Sequence, residues 1–232
     1  NDARTFFLVN RASTWTEFQA ALSHFTAPAQ NFLYADTAGN IGYHTGGRLP
    51  VRSARNAWLP SPGWESSSDW KGFIPASGLP SVLNPRQGFI VAANNKIVGN
   101  DFPYHISHVW EPPWRAQRLQ EVLSHDSLVS VEDMERLQQD VVSPLARDVV
   151  PLVLAVVPET TASPIERSAL MYLRMWDHAI RADAPAASIF EATYLHLLSE
   201  TLGDELGPEL LGVYDTLASM PLTTVERLLE QP

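Results

Sequence analysis

Two adjacent asparagines, Asn94 and Asn95, follow a short apolar run and are the first candidates for chemistry in this sequence. A side-chain carboxamide at the end of a strand can donate an N–H to a developing oxyanion, which is one way that an acyl-transfer site stabilises its transition state. Arg115 follows in the first turn of a predicted helix, where it could reach back toward Asn94 or pair with Glu111. Spacing alone favours a plainer interpretation, because turns often carry asparagines for their backbone geometry.

A strand, a loop and a helix are expected to position these side chains. Residues 88–93 (GFIVAA) form an apolar run of strand length that ends next to Asn94. An aromatic-rich loop follows it. Pro113 then precedes a helix predicted from about Trp114 to His125, because proline is well placed at the start of a helix. Arg115 would therefore lie beside the end of the preceding loop.

The rest of the first half is predicted to consist mainly of strands and loops. Residues 4–10 (RTFFLVN) are predicted as a strand. Thr14 and Glu17 have the form of a capping box, which indicates a short helix. Residues 31–36 and 41–45 flank a glycine-containing turn and predict a β-hairpin.

The second half is predicted to be a block of helices. Ser130 and Ser163 have the form of helix N-caps, and the helix that follows Ser163 is predicted to extend to about Arg181. Another helix is predicted from Ser188 to Leu202, with Gly203 as its end. The sequence thus predicts an α+β fold with two parts, a strand- and loop-rich part over residues 1–112 and a helical block over residues 113–232.

Composition excludes several classes of function. The net charge of -10 argues against nucleic acid as a partner, because no Lys/Arg cluster is present to replace phosphate counterions. The chain contains no cysteine, so disulfides and thiolate chemistry are excluded. No stretch approaches the length of a membrane span, and we expect no membrane-spanning segment.

Other candidate chemistries are weaker on spacing. His105 and His108 are three residues apart, as some metal ligands are, but neither an HExxH pattern nor a third ligand is near. Glu132 and Asp133 are expected to lie on a solvated helix face. No serine or threonine has a recognisable activating context, and the first residue, Asn1, is not a Ser, Thr or Cys nucleophile.

A tryptophan-rich loop, containing Trp58, Trp64 and Trp70, offers an alternative function. Exposed tryptophans in a loop could hold a ligand, which would make this chain a binding or interaction module in which no bond is broken. The more common role of such residues is to pin a long loop onto the body of a domain.

Three segments together resemble the penicillin acylase family of N-terminal-nucleophile hydrolases. They are NFLYADTAGNIGYHTGGRLPVR at residues 31–52, PSPGW…DWKGFIP…LPSVLNPRQGFIVAANN within residues 60–95, and WEPPWRAQRL at residues 110–119. The match covers about half of the chain in the order and spacing of the family, which makes it far more specific than any single motif.

The resemblance implies an αββα sandwich of antiparallel strands and an amidase whose precursor cuts itself to free a serine nucleophile. It places the oxyanion-hole asparagine of the family on Asn94 and the arginine that orients it on Arg115, with Arg118 as the neighbouring alternative. The implied substrate is a small N-acyl compound, either a β-lactam antibiotic such as penicillin or an N-acyl homoserine lactone. The implied location is periplasmic or extracellular.

The chain also departs from the family pattern. The serine and the α chain of the family are not matched, so the sequence resembles an internal piece of the β chain, inactive alone, whose partners are the α chain and the remainder of the β chain. Some members bind calcium through an aspartate, but the corresponding positions here hold Tyr104 and His105, with Asp101 a few residues away, and a second ligand position falls near Ala57. We predict no cofactor or metal for this chain, although calcium remains compatible with the intact enzyme. Exposed strand edges would also allow a homodimer of the isolated piece.

Overall fold

The computed structural model describes residues 2–52, 60–125, 129–158, 160, 162–217 and 220–229. The chain divides into two compact units, residues 1–110 and residues 111–232. Each unit has its own buried apolar residues.

The first unit contains two short helices and an antiparallel sheet. Its described elements are α1 (Asp2–Val9), α2 (Trp15–Leu22), β1 (Gln30–Ala35), β2 (Ile41–Gly46) and β3 (Ser81–Leu83). The strand order is β1-β2-β3, with Phe32 opposite His44 and Gly42 opposite Leu83. The hairpin predicted from the sequence is therefore confirmed, and β3 joins its second strand.

Two glycines in the central strand allow aromatic rings to pack directly on its backbone. A Cβ atom at Gly42 would lie 2.5 Å from the ring of Trp15, and one at Gly46 would lie 2.6 Å from the ring of Phe32. Both distances are shorter than any van der Waals contact, so a larger residue at either position would displace the ring.

The hairpin turn is closed by Asp36 and by a residue distant in sequence, Asn84. The carboxylate of Asp36 accepts hydrogen bonds from the Asn40 side chain (2.8 Å) and from the Asn40 and Ala38 backbone N–H groups (2.9 Å each). Asn84 adopts φ 49° directly after β3, donates from its backbone N–H to the Ile41 carbonyl at 2.8 Å, and accepts from the Ile41 N–H through its side-chain oxygen at 3.0 Å. The Asn84 amide also donates to the Asn40 side chain at 2.8 Å.

Two strand predictions in this unit are wrong. Residues 4–9 belong to helix α1, because a short apolar run does not distinguish strand from helix by periodicity. Asp2 begins this helix, and its carboxylate accepts hydrogen bonds from the backbone N–H and hydroxyl of Thr26 at 2.6 and 2.7 Å. Residues 88–93 form no strand, since the edge of β2 is occupied by β3 instead.

The described elements of the second unit are helices joined by turns and loops. Its helices are α3 (Trp114–His125), α4 (Val131–Gln138), α5 (Pro144–Val156), α6 (Pro164–Arg174), α7 (Pro185–Tyr214) and α8 (Met220–Leu229). The core contains residues of α5, α7 and α8, and Trp176 packs against Phe190 at 5.7 Å between ring centroids. No described helix combines the length and the apolar character that a bilayer crossing requires.

The starts of α3, α4 and α6 agree with the predicted residues, whereas α7 begins at Pro185 instead of Ser188, and two predicted helix ends differ from the structure. Ser130 and Ser163 form the predicted capping boxes. The predicted extension to Arg181 is wrong, because α6 ends at Arg174 and His178 then takes a left-handed conformation with φ 60°. Gly203 does not end a helix. The break in α7 lies at Gly207, whose φ of 68° and ψ of 167° are not helical.

Candidate active site

Asn94 lies on an exposed turn of the first unit in a left-handed backbone conformation, with φ 61°. Asparagine is one of the few residues other than glycine that adopts this conformation readily. The preceding Ala93 is buried with 6% of its surface exposed, so the chain leaves the core at this point. The turn therefore brings an amide side chain to the surface directly next to a buried anchor.

The side chain of Asn95 braces this turn from both ends. Its Oδ1 atom accepts a hydrogen bond from the Ala93 backbone N–H at 3.1 Å, and its Nδ2 atom donates to the Lys96 carbonyl at 3.1 Å. These two backbone groups flank Asn94. The sequence indicated the pair of asparagines as candidates. It did not indicate that Asn95 bonds to the backbone on either side of Asn94, which depends on the left-handed conformation of Asn94.

Arg115 lies in the first turn of α3, in the second unit, and is exposed. The next residue, Ala116, is buried with 4% of its surface exposed, which fixes the face that α3 turns inward. Gln117 donates its N–H to the Pro113 carbonyl at 2.8 Å, so the helix is already regular at this position. Because Asn94 belongs to the first unit and Arg115 to the second, the pairing of the two side chains stays a prediction.

Arg118, the alternative to Arg115, is held by carboxylates within the second unit. Its Nε and Nη2 atoms donate to the two oxygens of Asp140 at 3.0 and 2.7 Å, and Nη1 lies 3.1 Å from Glu121. The Arg118 guanidinium lowers the pKa of Asp140, and the carboxylates in turn raise the pKa of Arg118. Glu121 also accepts from Arg147 at 2.8 Å, and this contact is the first cause of its lowered pKa. These contacts indicate a structural role for Arg118.

His105 and His108 are neighbours in space as well as in sequence. Their ring centroids are 4.0 Å apart with 37° between the ring planes. Partial desolvation lowers the pKa of His105, and the charges of His108 and Arg52 add to this effect. The two rings are therefore in direct contact with one another.

No group of three or more His, Asp or Glu side chains among the described residues could hold a metal ion. Calcium requires about six to eight oxygen ligands, and Asp101 is the carboxylate nearest in sequence to the two positions, Tyr104 and His105, that the resemblance singled out. Ala57, the other position considered, lies outside the described residues.

The tryptophan-rich loop presents aromatic surface. Trp64 is 87% exposed and Trp70 is 57% exposed, so Trp64 does not pin the loop onto the unit. The guanidinium of Arg52 lies 5.6 Å from the ring centroid of Trp70, and that of Arg48 lies 4.0 Å from the ring centroid of Phe73. Trp58 lies outside the described residues.

Two cavities lie elsewhere in the described part of the chain. One, of about 280 Å³, lies between α1 and α2 and is lined in part by Arg11, Glu17 and His24. The other, of about 330 Å³, lies beside α3 and α4 and is lined in part by Arg118 and Asp140. Neither lining includes Asn94 or Arg115, so the candidate chemistry is associated with an exposed turn and not with these cavities.

Comparison with known proteins gives a consistent family assignment. The family model for penicillin amidase matches residues 1–232. Penicillin acylase 2 proenzyme of Pseudomonas sp. strain SE83 is 36% identical over 133 residues, which make up 57% of this chain and 17% of that protein. Acyl-homoserine lactone acylase QuiP of Pseudomonas fluorescens strain Pf0-1 is 30% identical over 216 residues, covering 88% of this chain and 26% of that protein. The chain thus spans about a quarter or less of the length of these relatives.

A solved structure shows the same fold. Thermostable penicillin G acylase from Alcaligenes faecalis matches with a TM-score of 0.73 and 26% identity, over 90% of this chain and 38% of that one. This match, together with the antiparallel sheet and the helices, confirms the α+β prediction and its link to the N-terminal-nucleophile hydrolases.

Proposed function

This chain belongs to the penicillin amidase family, and from that membership we propose that the protein containing it hydrolyses the linear amide bond of N-acyl compounds. The resemblance carried by the three sequence motifs is confirmed by the family match. The observation that carries the proposal is the exposed, left-handed turn at Asn94, which presents a carboxamide in a chain matched to the family over its whole length.

The proposed substrates are β-lactam antibiotics such as penicillin, or N-acyl homoserine lactones. The names of the relatives support both classes. The matches to acyl-homoserine lactone acylases cover 88% and 92% of this chain, while that to penicillin acylase 2 proenzyme has the higher identity over a shorter range. A panel with both substrate classes is therefore the appropriate assay for the complete protein.

In the proposed mechanism, Asn94 stabilises the oxyanion and Arg115 orients the side chain of Asn94. A serine Oγ forms a bond to the amide carbon, and the carbonyl oxygen becomes negatively charged. The Asn94 amide donates a hydrogen bond to this oxygen, and the Arg115 guanidinium orients the amide. Collapse of the tetrahedral intermediate breaks the C–N bond, the leaving amine takes the proton that the serine lost, and water then releases the acid from the acyl-serine.

The serine is proposed to lie in another part of the same precursor. The short share of the relatives that this chain covers supports this placement, and the name of one relative identifies it as a proenzyme. Maturation by self-cleavage, assembly with the other segments of the precursor, and a periplasmic or extracellular location belong to the same proposal. The pure 232-residue chain is expected not to hydrolyse a chromogenic phenylacetyl or long-chain acyl amide, and hydrolysis by it would refute this part.

Substitution of Asn94 in the processed, full-length enzyme tests the assignment. Asn94→Gly is the informative variant, because glycine accepts φ 61° without strain and lacks the side-chain amide. Loss of one oxyanion donor typically lowers kcat by about 10²–10³. Gln87→Ala, which removes an exposed amide side chain bonded to the Phe89 carbonyl, is the control and should retain kcat. Near wild-type turnover in Asn94→Gly would show that the assignment is wrong.

A ligand-binding surface is the second candidate function, and the exposure of Trp64 and Trp70 favours it. In that case the complete protein would bind N-acyl or aromatic ligands without releasing an amine. Quenching of tryptophan fluorescence that is lost in Trp64→Ala, in a protein that shows no hydrolysis of either substrate class, would support this candidate over the amidase.

A further inference from the structure

We propose that Asn95 is a positioning residue for Asn94, so that the two adjacent asparagines act as a donor and its brace. The inference rests on the proposed function of Asn94 and extends it to a residue with no assigned role. Asn95 touches neither substrate nor oxyanion in this proposal. Its effect on the reaction passes entirely through the backbone conformation of Asn94.

The geometry of the brace is specific. The Asn95 side chain bonds to the Ala93 N–H and to the Lys96 carbonyl, each at 3.1 Å, and these groups lie on either side of Asn94 in the chain. The two bonds close a small loop whose only enclosed residue in the left-handed region is Asn94, with φ 61°. Asparagine side chains in turns commonly bond to nearby backbone groups, and such bonds restrict the local conformation.

The contacts also limit what else Asn95 does. Among the described residues, its side chain hydrogen-bonds only to the backbone of its own turn. It therefore links no other secondary structure element to this segment. The buried Ala93 anchors one end of the brace, with 6% of its surface exposed, and the exposed Asn94 is the residue whose direction the brace determines.

An oxyanion donor works only if it is held at the correct distance before the reaction begins. Without the brace, the Asn94 backbone can leave the left-handed region, and the carboxamide then points elsewhere for part of the time. A misplacement of about 1 Å can lower a rate by about 10²-fold. We expect Asn95→Ala to lower kcat by about tenfold or more and to leave KM unchanged, since ground-state binding does not depend on the oxyanion contact.

A double-mutant cycle in the processed, full-length enzyme tests the inference. Asn95→Ala, Asn94→Gly and the double variant are compared by kcat and KM, normalised to the amount of processed enzyme. If Asn95 acts only through Asn94, the double variant has the same kcat as Asn94→Gly alone, because there is no amide left to position. Multiplying losses in the double variant, or an unchanged kcat in Asn95→Ala, would overturn the inference.

Two further variants keep the result interpretable. Asn95→Ser keeps a short hydrogen-bonding side chain in the turn and should recover part of the kcat lost in Asn95→Ala. If Asn95→Ala is not processed, Asn95→Ser takes its place in the test. Gln87→Ala removes a similar side-chain bond to backbone, from Nε2 to the Phe89 carbonyl at 3.0 Å, and should leave kcat unchanged. A normal kcat in Asn94→Gly would instead refute the proposed function, so the two failures are distinct.

Discussion

Arg118 donates two parallel hydrogen bonds to Asp140, from Nε at 3.0 Å and from Nη2 at 2.7 Å, and so joins α3 to the segment that follows α4. Planar, two-point pairing of this kind is the strongest form of arginine–carboxylate contact. The pairing therefore holds the Arg118 guanidinium against a carboxylate of its own unit. Of the two arginines that the sequence offered as the orienting cation, the geometry therefore favours Arg115.

Substitution of Arg115 is expected to lower turnover. Arg115→Ala should reduce kcat by about tenfold or more, because Asn94 loses the group proposed to orient its amide. Arg115→Lys keeps the charge but not the planar fork, and should recover only part of the loss. Steady-state kinetics of the processed enzyme provide the measurement. Arg118→Ala is the control, and a large fall of kcat there with normal turnover in Arg115→Ala would reverse the assignment.

Substitution of Arg118 is expected to affect local stability. Both side chains of the Arg118–Asp140 pair are partly exposed, at 23% and 18%, so we discount the usual value for a charged pair and expect a loss of about 1 kcal/mol for Arg118→Met. Hydrogen exchange of peptides from α3 and from residues 139–142 in the full-length protein measures this opening free energy. Unchanged protection in both peptides would contradict the structural role.

Substitution of Gly207 is expected to destabilise α7. Gly207 has φ 68° and ψ 167°, a region open essentially only to glycine, so Gly207→Ala should cost about 1–3 kcal/mol. Gly212→Ala, in the regular part of the same helix and with no atom within 4 Å of its new Cβ, should be neutral or stabilising by about 0.5–1 kcal/mol. Hydrogen exchange across α7 compares the two variants, and equal effects would show that the kink is not a constraint.

The hairpin turn is expected to lose stability in acid. Hydrogen bonds from the Asn40 side chain and backbone hold the pKa of Asp36 at about 2, below the ordinary value of 3.8. Because the folded pKa is the lower one, the stabilisation is fully present above the ordinary value and is lost as pH falls toward 2. The difference in Tm between wild type and Asp36→Asn should therefore be largest near neutral pH and shrink in acid.

Circular dichroism melts of the full-length protein at about pH 6, about pH 4 and about pH 2.5 would follow this difference. Tyr34→Phe removes one of the weaker donors to Asp36, a hydroxyl at 2.9 Å, and should show the same trend with a smaller amplitude. A Tm difference for Asp36→Asn that stays constant over this range would contradict the assignment of the lowered pKa to the folded turn.

Elements with strong local signals were predictable from the sequence. Helix α3 begins and ends at the predicted residues, Trp114 and His125, because proline precedes it and its apolar positions keep helical spacing. The capping boxes at Ser130 and Ser163 were equally local, since each needs only a hydroxyl and an acidic side chain three residues later. The hairpin followed from its turn residues.

Elements that depend on tertiary contacts were not predictable. Residues 88–93 have strand composition, but composition does not show that β3 takes the edge of β2. The apolar spacing after Arg174 continues, yet the left-handed His178 redirects the chain, and Trp176 enters the core instead of extending α6. At the candidate site, the adjacent asparagines were evident, while the bracing of Asn94 by Asn95 required the backbone angles.

The hydrogen bonds between Asn84 and the hairpin limit where the chain can be modified. Residues 37–39 form an exposed tip, which on exposure alone would be a natural point for an affinity tag or a fluorescent protein. Asn84 is bonded to Ile41 and Asn40 at the base of that tip, so an insertion there would pull on the start of the segment that leads to Asn94. Residues 65–69 form no strand and are mostly exposed, so this stretch is the better place for an insertion.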